Sequence, residues 1–206
     1  MNIERESIFR SLLFVFTVFF PLALLAHSEL TSIDEIFVFK TTQALAERAT
    51  HLISWDGDSP PDRNYSRFSL AQSLWGIPFY WLGQFLEKAD PAGGKWIYWC
   101  VGLSSCALTA MTATVLRAWL LSIFSNDSAA TLSAWLFSFA TLACAYSSSQ
   151  YSQVISTLAL ILAVRSVHQG GGVAISLSCA FLVSCRLDFA VLWPAFVVAT
   201  IQSDDP

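Results

Sequence analysis

The sequence predicts an all-α, polytopic integral membrane protein with about six transmembrane helices. An extracytoplasmic amphipathic helix and an interfacial helix are expected between the first span and the rest. Three observations predict this class. Of 206 residues, 55% are hydrophobic and 13% charged, with mean hydropathy +0.56. A soluble domain carries about 25% charged residues, so this chain has too few to solvate a soluble surface. The apolar residues come in runs of span length. The acids are segregated: residues 27–95 hold nine of the fifteen Asp and Glu. Net charge is −4 and no basic cluster exists, which argues against a nucleic-acid partner.

Ile8–Ala26 is the first span, with Arg10 as its single charge. Arg5 and Arg10 precede its apolar body and favour a cytoplasmic N-terminus. The exit "LALLAHSE" lacks an A-x-A cleavage site, so an uncleaved anchor is expected. Residues 27–95 form the extracytoplasmic segment. It opens as a helix over "SIDEIFVFKTTQALAERA" and continues into the turn-rich "SWDGDSPPDRN". Phe68–Leu86 follows, uncharged and long enough to cross. Gln72, Gly76, Pro78, Gly83 and Gln84 interrupt it, and Trp75, Tyr80 and Trp81 are interface residues. Laid on the surface, this segment leaves Arg117 and Arg165 on the side of Arg5 and Arg10, as the positive-inside rule prefers.

Residues 96–201 supply about five further spans. Trp96–Leu116 and Ala129–Tyr146 come first. Val154–Val164 leads to Arg165 and His168, and "QGGGV" makes a turn. Gly172–Ser184 and Leu187–Ile201 close the series, with a kink expected at Pro194. Cys100, Cys106, Cys144, Cys179 and Cys185 all lie in apolar runs with no C-x-x-C pair, so they read as small buried hydrophobes.

Ser32 and Glu35 form S-x-x-E ahead of an apolar-periodic run, which is a capping box. Glu35 is thereby explained without any function. Asp34 is not needed for the cap. On a helix it shares a stripe with Val38, Thr41 and Leu45, which places a carboxylate close to a membrane surface. Asp56 and Asp58, with Asp62 nearby, are weak candidates for a divalent cation such as Mg²⁺, Mn²⁺ or Ca²⁺, in a segment whose residues also suit a turn. Asn64-Tyr65-Ser66 is a glycosylation sequon in the expected outer loop. His27, His51 and His168 sit at boundaries and suggest no triad.

The order of these features resembles the start of multi-pass glycosyltransferases that use lipid-phosphate sugars. That group includes the dolichyl-phosphate-mannose protein mannosyltransferases and the aminoarabinose transferases of lipid A. The resemblance rests on the first span, the immediate Asp-Glu, the helix ending "QALAER", and "YSRFSLAQSLWGIPFYWLG". "SSSQYSQVISTLALILAVRSV" and "CAFLVSCRLDFAVLWPAFVV" are similar to later spans. It implies a polyprenyl-phosphate sugar as donor, membrane lipid as surroundings, and a plasma (inner) membrane location. It implies Asp34 as general base, with Glu35 as cap or second acid, and Arg67 and Arg186 as phosphate-binding residues. It also implies an incomplete transferase core, the N-terminal half, with a partner membrane chain completing the fold. The chain departs from the pattern at "SQYSQV", where Gln150 and Gln153 stand in place of an acid. The rival expectation is a non-enzymatic membrane protein, a transporter subunit or assembly partner.

Overall fold

The computed structural model describes residues 2–26, 29–30, 32–50, 70–90, 95–148, 153–169, 172–192 and 194–198. Every regular element among them is helical. In order they are α1 (Asn2–Leu24), α2 (Ile33–Arg48), α3 (Leu70–Ala89), α4 (Trp96–Phe124), α5 (Asp127–Ala140), α6 (Leu142–Ser147), α7 (Gln153–Gln169) and α8 (Gly172–Cys185). A 3₁₀ segment, Leu187–Leu192, and a helical stretch at 194–198 follow.

α4 is the central element. At 1.5 Å per residue its 29 residues reach about 43 Å. Among the described residues it is the one helix long and apolar enough to cross a membrane; Phe9–Leu24 and Gly172–Cys185 are shorter apolar helices. α4 runs eight residues past the expected end at Leu116. Arg117 does not stop it, because its guanidinium is bound to Asp127 and donates to Thr131 Oγ1 at 2.8 Å, both on α5.

Three apolar clusters share α4. Phe14, Val18 and Leu22 of α1 meet Cys106, Ala110 and Ala113, joined by Ala134 of α5. Leu108 meets Ile155 and Leu158 of α7 and Ile175 and Leu182 of α8. Val101 meets Phe39 of α2 and Tyr80 of α3. Small residues on α4 and α5 allow this close approach, which is how helices pack when greasy bulk is not the driving force.

α3 lies antiparallel to α4. Gly83 sits so near Ile97 that a Cβ there would be 2.5 Å from the Ile97 Cα, while eight residues earlier Trp75 Nε1 donates to the Ser104 carbonyl at 2.9 Å. α2 runs parallel to α3. Ser73 Oγ donates to the Val38 carbonyl, Gly76 abuts Thr42, and Tyr80 hydrogen-bonds Glu47, so both chains advance in the same direction.

Several hydroxyl residues are buried within the apolar core while large apolar side chains face outward. Ser104, Ser105, Thr109, Thr112, Ser138 and Ser156 are buried, whereas Phe16, Phe20, Leu132, Leu136, Val173 and Leu177 are more than half exposed. Most of the buried hydroxyls are satisfied within their own helix. Thr112 Oγ1 donates to the Leu108 carbonyl at 2.7 Å and Ser138 Oγ to Ala134 at 2.8 Å.

Two expected runs are divided. Ala129–Tyr146 is broken at Thr141, whose backbone is extended (φ −123°, ψ 178°). Its hydroxyl donates to the Phe137 carbonyl at 2.6 Å and accepts from Ala143 N at 3.1 Å, ending α5 and starting α6. Leu187–Ile201 begins as 3₁₀ helix, and residues 194–198, with Pro194 among them, are helical.

Candidate functional site at the acidic end of the bundle

The first turn of α2 is built by its cap. Glu35 N donates to Ser32 Oγ at 3.2 Å, and Ser32 N donates to Glu35 Oε2 at 2.9 Å. Glu35 is 2% exposed. Its carboxylate therefore closes the helix end. Asp34 is half-buried beside it, and no hydrogen bond or ion pair holds it among the described residues. Val38 and Thr41, one and two turns along its stripe, are buried, and the Val38 carbonyl accepts from Ser73 of α3. Asp34 thus stands where the stripe emerges from the packing, with its carboxylate uncommitted to the fold.

The opening turns of α2 and α3 lie side by side through Ser73 and Val38, and Gln72 Nε2 donates to Ser105 Oγ of α4 at 3.3 Å. The same turns of α3 reach the end of α8. Leu70, Ala71, Leu74 and Trp75 share a cavity of about 690 Å³ with Phe181 and Ser184. Arg186 follows Ser184 by two residues. Arg186 therefore stands just past the end of α8, and Asp34 in the first turn of α2.

Arg186 lines a second cavity of about 400 Å³ between α4, the α5–α6 break and α7. Its wall is mostly apolar, with Thr109, Thr112, Thr141, Gln153 and Ser156 as polar points. Gln153 Oε1 is buried there without a donor. A guanidinium, an amide oxygen lacking a donor among the described residues and a largely apolar wall thus line one cavity.

At the far ends of α2 and α3, Tyr80 donates its hydroxyl to Glu47, and Gln84 Nε2 reaches the same carboxylate at 3.5 Å. Burial, then the bond to Glu47, pushes the Tyr80 hydroxyl above the usual phenol range. Lys95, through a hydrogen bond and its charge, holds the Glu29 carboxyl below the usual range. Both ends of this pair are exposed, so it contributes little to stability.

Arg67, Asp56, Asp58 and Asp62 lie outside the described residues, as does the side chain of Asp188. Cys100, Cys106, Cys179 and Cys185 are buried and Cys144 half-buried. The part played by Thr141 was not foreseen, because neither glycine nor proline marks the break. Gln153 drew notice only as a missing acid; its amide is polar in an apolar run, and that was the available signal.

Family models, curated proteins and solved structures give no match to this chain.

Proposed function

We propose that the protein is a multi-pass membrane glycosyltransferase, or part of one, that moves a sugar from a lipid-phosphate donor to an acceptor on the face where Asp34 lies. The carrying observation is the arrangement at the acidic end. The capping box employs Glu35 and leaves Asp34 uncommitted, and Arg186, just past α8, lines a mostly apolar cavity.

Lipid is the solvent that suits the outward-facing Phe16, Phe20, Leu132 and Leu177. In that setting α1, α4, α5 with α6, α7 and α8 are the spans, and the α2–α3 pair rests on the outer side against the first turns of α4. Arg10, Arg117 and Arg165 then share the opposite, cytoplasmic side. Phe14 of α1 lies 5.3 Å under Arg117, and Trp119 of α4 lies against His168 of α7. This is the charge bias that the positive-inside rule describes, at the plasma (inner) membrane.

In the reaction, an acceptor hydroxyl attacks the anomeric carbon. Asp34 takes its proton, the bond from that carbon to phosphate oxygen breaks, and the lipid phosphate leaves with the electron pair. General-base action of this kind contributes about 10²–10⁴-fold. Arg186 would offset the charge that builds on the departing phosphate. The test is transfer from a labelled polyprenyl-phosphate sugar in membranes holding wild-type or Asp34→Asn protein at equal abundance. A rate loss of about 100-fold or more supports the base; undiminished transfer overturns it.

A second reading, a transporter subunit, draws on the break at Thr141. Interrupted helices beside a polar-pointed cavity also serve substrate passage. Uptake that depends on Arg186 but not on Asp34 would favour it.

A further inference from the structure

The end of the bundle opposite Asp34 holds two buried donors that no described residue satisfies. Trp119, near the end of α4, packs edge-on against His168 of α7, with ring centroids 6.3 Å apart. Its indole Nε1–H is buried and has no acceptor. Arg165 precedes His168 by three residues on α7 and so shares its face. The Arg165 Nε–H is buried and without an acceptor as well.

Each unmet donor costs about 1–3 kcal/mol, and more where the group is charged. Two such donors on facing helices call for a common acceptor. The protein does not supply one from its nearby acid, because Asp127 is bound to Arg117. Among the described side chains, Arg10 and His168 are further ionisable groups assigned to this end, and both are basic.

We propose that Trp119, Arg165 and His168 form a phosphate-binding site on the cytoplasmic side, suited to the headgroup of an anionic lipid. A phosphate presents acceptor oxygens in several directions, so one group meets the indole N–H, the guanidinium and an imidazole N–H together. Ile123 on α4 and Val164 on α7 are exposed apolar residues beside these donors, placed to receive acyl chain. Basic pockets between helices on the cytoplasmic side are a recurrent way to hold such headgroups. The site rests on the membrane reading and is independent of the transfer chemistry at Asp34.

The experiment uses the full chain in neutral detergent. Native mass spectrometry follows retention of added dioleoyl-phosphatidylglycerol against dioleoyl-phosphatidylcholine, and thermal unfolding follows added inorganic phosphate. Wild type should retain phosphatidylglycerol in preference. Trp119→Phe, which keeps the ring and removes the donor, and Arg165→Gln should each retain about tenfold less. Inorganic phosphate that raises the melting temperature of wild type but of neither variant would keep the site and assign it to free phosphate. Equal retention by wild type and Trp119→Phe with no phosphate effect overturns the proposal, and that comparison suffices if Arg165→Gln does not fold. Release of the protein from membranes by alkaline carbonate would instead overturn the membrane reading itself.

Discussion

At the scale of single residues, Asp34 and Glu35 are neighbours with separate duties. Glu35 is fixed by two hydrogen bonds to Ser32. Removing the cap with Ser32→Ala should lower stability by about 1 kcal/mol, read as a reduced melting temperature in detergent. Asp34→Asn should leave that temperature unchanged while transfer falls, because no hydrogen bond or ion pair among the described residues uses that carboxylate. Ala49 offers a gain. It ends α2 at φ 52°, where an L side chain is strained, and its N–H bonds the Leu45 carbonyl at 3.1 Å. Ala49→Gly should stabilise by about 0.5–1 kcal/mol, seen as a raised melting temperature. The capping box was legible in the sequence because S-x-x-E is a local code. The meeting of Trp119 with Arg165 and His168 was not, since it depends on how α4 and α7 pack across a long stretch of chain.

At the scale of elements, the α3–α4 contact depends on glycine for room. A Cβ at Gly83 would lie 2.5 Å from backbone, whereas one at Gly76 would lie 3.1 Å from the Thr42 side chain. Backbone cannot turn aside as a side chain can. Gly83→Ala should therefore cost about 1–3 kcal/mol, and Gly76→Ala distinctly less, when both melting temperatures are compared with wild type. The helical elements at 8–26, 96–116 and 172–184 were legible from hydropathy and length. The division at Thr141 was not, because a threonine hydroxyl bonding Phe137 and Ala143 ends one helix and caps the next without any residue that sequence patterns treat as a breaker. The extent of α4 was also missed. Arg117 looks like a boundary in the chain but is neutralised by Asp127 in the fold.

For the whole molecule, the exposure of many large apolar side chains is the dominant fact, and the all-α class was legible in the sequence. What composition did not give was the position of α3, whose Gln72 and Ser73 are buried against α4 and α2 while Leu74, Trp81 and Phe85 face outward. A two-sided labelling experiment tests the orientation. Lys88→Cys should react with a membrane-impermeant maleimide in intact cells, and Ser128→Cys only after permeabilisation. Labelling of both in intact cells would contradict the arrangement. Four native cysteines are buried and Cys144 is half-buried, so background reactivity is low.

The parallel course of α2 and α3 governs the order in which the molecule assembles. α3 and α4 form a hairpin with a short connection, and such local pairs close early. α2 and α3 are parallel and 21 residues of sequence separate Arg48 from Leu70, a wider loop with a larger closure entropy. The helix bearing Asp34 is therefore among the last to settle during synthesis, and it docks onto a platform already made.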